Sequence, residues 1–135
     1  MIKPACMLTL FLFSGTAQAG DDFDARVARA KKVERSSPVG REYLMRYMPE
    51  TNATFENIYR DCRQHGIKGK KEIFTVVFDV DAEGRITNIA IAEKDRDEYA
   101  QCYAKGLAQI KGPPPPASFA EKGFPVVIQA SHDIR

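Results

Sequence analysis

Apolar and polar residues alternate most regularly from Glu72 to Val80 (EIFTVVFDV), where Phe74, Val76, Phe78 and Val80 share one face and Ile73, Thr75, Val77 and Asp79 the other. A period of two rich in β-branched and aromatic residues predicts a strand, and a wholly apolar face requires a cover. Asp81-Ala82-Glu83-Gly84 supplies turn residues, with Gly where a short loop commonly needs a left-handed backbone. Ile86 to Glu93 (ITNIAIAE) then returns with Ile89 and Ile91 two apart, so the two runs predict a hairpin. The period changes next: Tyr99, Cys102, Tyr103, Leu107 and Ile110 recur at helical spacing. A helix is expected from a cap at Asp95, with Glu98 three residues on as in a capping box, to Lys111. Gly112 and Pro113 to Pro116 end it, because a proline run donates no backbone bonds and favours an extended conformation. Phe124 to Ala130 (FPVVIQA) predicts a third strand.

Upstream the pattern is helical. Asp22 to Glu34 carries only a narrow apolar stripe of Phe23, Val27 and Ala30, expected as a helix held weakly on the body or one that frays. Ser37-Pro38 offers a cap and a first-turn proline for a second helix to Met48, closed by Pro49. A third is expected from Ala53 to His65, with Phe55, Ile58 and Cys62 inward and Gly66 as its C-cap. If the first two strands pair as a hairpin and the helix crosses back, the third runs parallel to the second. An all-antiparallel sheet then requires the order 2-1-3, with the third strand at an edge. The expected fold class is α+β: a three-stranded antiparallel sheet, order 2-1-3, with helices packed on one face.

The chain has 135 residues, enough for one ordinary domain. Lys3, the apolar run Met7 to Phe13 and Ala17-Gln18-Ala19 have the order of a cleavable export leader. Residues 1–19 are therefore read as a signal peptide, 20–50 as an N-terminal helical region and 51–135 as the principal domain. No run is long enough for a permanent membrane anchor. Cys6 would leave with the leader, so Cys62 and Cys102 remain in an oxidising compartment, where a single intramolecular bridge is expected; the alternative is two unpaired buried thiols. The leader holds one Lys and no acid, so its loss lowers the formal charge of +2 by one. A surface so near neutral gives no electrostatic case for nucleic acid, and Lys68, Lys70 and Lys71 read as a solvated loop.

Candidate chemistry is sparse. Asp79 to Gly84 imitates the opening of a calcium loop, but the twelfth position is Ala90 where a bidentate Glu belongs, and the hairpin turn is the better reading. Ser131-His132-Asp133 has the letters of a hydrolase triad, yet three consecutive residues cannot align their side chains for proton transfer. His65 without Cys or carboxylate at ligand spacing makes a poor metal site and suits a helix C-terminus. Pro113 to Pro116 reads as a strut in preference to a docking ligand. No catalytic residue, cofactor or metal is expected.

The run Phe78-Asp79-Val80, Gly84-Arg85-Ile86, Cys102-Tyr103-Ala104 with Leu107, Pro114-Pro115-Pro116 and Phe124-Pro125-Val126-Val127-Ile128 resembles the C-terminal domain family of TonB and TolA, over about residues 55 to 130. The resemblance implies a hairpin, an amphipathic helix, a proline link and a closing strand, in a periplasmic protein of a Gram-negative envelope. It also implies protein binding, in part by sheet-edge pairing, to an envelope or outer-membrane protein or an extended peptide. A cleavable leader differs from the retained anchor of the energy transducers, so no transmission of force from the inner membrane is expected. The third strand is then the candidate binding edge, through Val126, Val127, Ile128 and Gln129; the alternative is that Ile134 and the tail, or the N-terminal helices, cover it. The alternative is a periplasmic inhibitor or immunity-type protein; a hydrolase ranks last.

The protein recovered from the exported fraction should begin at Gly20, since Ala17 and Ala19 satisfy the cleavage pocket. Intact-mass measurement checks this, and retention of Met1 refutes it.

Overall fold

The alternation between Phe74 and Val80 becomes strand β1 (Ile73–Val80), the centre of the sheet. The computed structural model describes residues 19–66 and 73–131. Strand β2 (Ile86–Ile91) and strand β3 (Phe124–Ser131) flank β1 on either side, both antiparallel to it, in the order β2-β1-β3. The β1–β3 register is unbroken, from Ile73 opposite Ser131 to Val80 opposite Phe124. The β1–β2 register shifts between Val77 and Asp79, where Asn88 takes a φ of 51°. Asn tolerates that left-handed backbone better than most residues, so β2 carries a bulge at Asn88.

The hairpin turn is as the sequence expects. The Asp81 carboxylate accepts hydrogen bonds from the backbone N–H groups of Glu83 and Arg85, each at 2.9 Å. Gly84 sits at φ 86°, and a Cβ there would lie 2.0 Å from the Gly112 carbonyl oxygen. Gly112 N–H donates back to the Gly84 carbonyl at 2.8 Å. The chain leaving the third helix is thus clamped to the hairpin tip, and only a residue without a side chain permits that approach.

Helix α1 (Ala19–Ser36) and helix α2 (Pro38–Cys62) are separated by Ser37 alone, whose hydroxyl accepts from Gly40 N–H at 2.9 Å. The two helices expected on either side of Pro49 are one: α2 runs for 25 residues with Pro49 inside it. An interior proline removes a single backbone bond, and Pro49 is exposed, where water can take the freed carbonyl. Tyr43 and Tyr47 before it, and Ile58 and Cys62 after it, are all buried in one core, so burial on both sides carries the helix through. The boundary between residues 50 and 51 lies inside this helix. Helix α3 (Glu98–Leu107) starts two residues later than expected: Asp97, not Asp95, caps it by accepting from Ala100 N–H at 2.8 Å, while Asp95 belongs to a short 3-10 turn. It also ends earlier, at Leu107, though Ile110 beyond it remains buried.

Helices α2 and α3 cover the Phe74–Val80 face. Phe74 meets Tyr99 and Tyr103 edge-on, and Tyr43 meets Phe124 with ring centroids 4.8 Å apart. The expectation that every helix lies on this face is corrected by α1. Val77 and Asp79 point to the opposite side of β1, yet are only 1% and 7% exposed. The Arg26 guanidinium of α1 lies 3.7 Å from the Asp79 carboxylate and donates to the Asn88 carbonyl, and Asn88 donates to Asp79 at 3.0 Å. A buried carboxylate without partners would be strongly disfavoured, so this group ties α1 to the sheet. A stripe of Phe23, Val27 and Ala30 looked too narrow for firm docking because the apolar pattern does not count that polar contact. Residues 1–18 of the expected leader, the loop lysines 68, 70 and 71, and His132-Asp133 fall outside the described residues; Ala19, its last residue, begins α1.

Cys62 and Cys102 form a disulfide with their Cα atoms 5.6 Å apart, joining the end of α2 to the middle of α3. Closing a loop of 40 residues should contribute about 4 kcal/mol in the chain-entropy view. The double variant Cys62→Ser, Cys102→Ser should unfold at a clearly lower denaturant concentration with a somewhat steeper slope, because the unfolded chain without the crosslink exposes more surface. Thiol titration of the unfolded, unreduced protein should find neither cysteine free.

Candidate binding edge

A three-stranded sheet has two outer edges, and they are unlike. Strand β2 has six residues and is bent by the bulge at Asn88, a feature that spoils pairing with an added strand. Strand β3 has eight residues in straight register against β1, and among the described residues no strand pairs with its other side. The chain order places the more usable edge on β3, and the reason is local: Asn88 adopts a left-handed backbone and nothing in β3 does.

The four expected edge residues are contiguous but differently placed. Val126 is buried towards α2 and α3, Val127 and Ile128 are half-buried, and Gln129 is exposed, its amide oxygen accepting from the Thr75 hydroxyl at 3.1 Å. Pro125 stands opposite Asp79 and brings no N–H to the ladder. Beside Pro125, Val126, Val127 and Ile128 lies a cleft of about 180 Å³, closed on one side by Ala30 and Glu34 of α1 and on the other by Leu44 and Met48 of α2. The edge is therefore recessed between two helices at its Pro125 end and open towards Gln129. These four helical residues were missed from the sequence. Leu44 and Met48 carry a readable signal, an apolar pair one turn apart, but the signal looks the same for a core stripe and for a cleft wall.

A second cleft, about 610 Å³, lies between the first half of α2 and the proline run, lined by Val39, Glu42, Tyr43, Met45, Arg46 and Pro114 to Pro116. The Tyr43 hydroxyl donates to the Pro113 carbonyl at 2.7 Å, so the run is held as a strut. Val39 and Met45 on its rim are 51% and 78% exposed. Among the described residues no set of three His, Cys, Asp or Glu is placed to hold a metal ion, and no helix is long and apolar enough to cross a membrane. No protein-family model, curated protein or solved structure matches the chain.

Four tyrosines, Tyr43, Tyr47, Tyr99 and Tyr103, are buried in the core on α2 and α3. Burial pushes the phenols of Tyr47, Tyr99 and Tyr103 up to about 12, and burial together with neighbouring Tyr47 also raises Tyr43. None of the four supplies a phenolate near neutral pH. Unfolded tyrosines ionise near pH 10, roughly. Between that value and the raised folded values the native chain holds more protons than the unfolded one, so stability is complete below about pH 10 and falls as pH rises through the window. Phenolate absorbance and near-ultraviolet circular dichroism should therefore change together and co-operatively on alkaline titration. Independent ionisation at the unfolded value, with the fold intact, would contradict the burial.

Proposed function

We propose that this chain is an exported, periplasmic protein-binding adaptor, similar in arrangement to the TonB and TolA C-terminal domains, that captures an extended segment of an envelope or outer-membrane protein by adding it as a strand to β3. The observation that carries this reading is the contrast between the two sheet edges: β3 is long and straight, whereas β2 is short and bulged. An unpaired row of backbone donors and acceptors is a template for another strand, and it recognises extended backbone with little regard to sequence. The disulfide is in keeping with an oxidising compartment.

A second reading, an inhibitor or immunity-type protein, is favoured by the rim of Val39 and Met45 beside Glu42 and Arg46. Exposed apolar side chains among charges on a rigid helix suit a preformed one-to-one complex. The two readings place the partner on different surfaces.

The partner captured from envelope extract by the mature protein should slow amide exchange along β3. Gln129→Pro, at an exposed position that shares the sheet parity of the native Pro125, should weaken capture at least tenfold, about 1.4 kcal/mol, with the thermal midpoint little changed. Val126→Pro and Ile128→Pro should disturb the core as well. Unchanged exchange at Val127 and Gln129, with protection at Val39 and Met45 and a steep salt dependence, would move the inhibitor reading ahead.

A further inference from the structure

The cleft at the Pro125 end of β3 is too small for a strand but not for a side chain. A cavity of about 150 Å³ accepts a benzene molecule, and this one is about 180 Å³. A strand pairing along the whole of β3 would have to share the cleft with Ala30 and Glu34 of α1 and with Leu44 and Met48 of α2. Gln129, just past the residues of β3 that line the cleft, is exposed, and an added backbone is placed beside it. Whatever pairs there has its next residue at the mouth of the cleft.

We infer that this cleft is the specificity pocket of the β3 edge: it takes one aliphatic or phenyl side chain from the partner's strand, next to a basic residue in that strand. The inference rests on the edge-binding reading of β3 and adds the partner's chemistry to it. Three features point to the occupant. The walls are apolar on both sides, from Ala30 on α1 and from Leu44 and Met48 on α2. Met48 is 36% exposed, and an unbranched thioether side chain can move to fit a range of apolar shapes. The one charged residue lining the cleft is Glu34, which is exposed and makes no ion pair among the described residues, so the rim is complementary to Lys or Arg. In strand addition, backbone bonds supply the general affinity and pockets for alternate side chains supply the choice of partner.

The test uses a synthetic host peptide of alternating threonine and glutamine with lysine at each end and one guest position, carrying Leu, Phe, Ser or Asp, titrated against the mature protein by fluorescence anisotropy. Leu and Phe guests should bind at least tenfold more tightly than Ser, and Asp most weakly of all. Met48→Trp, which fills the cleft from a partly exposed position, should remove the preference while leaving the Ser-guest affinity in place. Glu34→Gln, on the exposed rim, should weaken the Leu guest and reduce its salt dependence. Gln129→Pro should weaken every guest alike. Equal affinity for Leu and Ser guests, with Gln129→Pro still weakening both, overturns the pocket and leaves edge capture standing. Binding by no guest overturns edge capture, and the pocket with it.

Discussion

Burial of β1 on both of its faces is the constraint from which the rest of the structure follows. A central strand of a three-stranded sheet has no free edge, and from Val76 to Val80 each of its residues is buried. One face is aromatic and aliphatic and is covered by α2 and α3. The other presents Val77 and then Asp79, and a carboxylate cannot be buried by an apolar cover alone. Arg26 and Asn88 meet that requirement together, which fixes where α1 lies and coincides with the bulge in β2. The position of α1, in turn, decides how much of β3 is left open.

The helical layer is braced at both ends. At one, the disulfide holds the end of α2 to α3; at the other, Tyr43 and the Gly84–Gly112 contact hold the proline run and the hairpin tip. Between them Gly106 lets the helices approach closely, since a Cβ there would lie 2.7 Å from the Ile58 side chain. A frame tied in this way leaves little freedom at the β1–β3 ladder, and a rigid edge binds an extended segment with less ordering cost than a mobile one.

The same frame separates two kinds of surface. The β3 edge is a backbone surface with a small apolar recess, suited to segments that are extended before they bind. The α2 and proline-run surface is made of side chains, with Val39 and Met45 standing out among charges. On the proposed reading the first would select by backbone and one anchor residue, and on the second reading the other would select by shape and charge.

The three strands, their 2-1-3 order, the hairpin turn and the pairing of Cys62 with Cys102 were legible in the residues themselves. Each depends on local periodicity, turn chemistry or, with Cys6 assigned to a leader, cysteine number, and these act over a few residues or allow a single outcome. The continuity of α2 through Pro49, the cap at Asp97 and the placement of α1 on the second face were decided only in three dimensions. Local rules stop a helix at proline and favour the Asp95–Glu98 box; burial of Tyr43, Tyr47, Ile58 and Cys62 in one core outweighs the single lost bond, and the turn at Glu93 to Asp95 moves the start of α3. The candidate site divides in the same way. That β3 is an edge follows from chain order, whereas the cleft beside it is built from Ala30, Glu34, Leu44 and Met48, far from β3 in sequence, and depends on α1 lying across the second face, where Ala30 is buried and Arg26 meets Asp79.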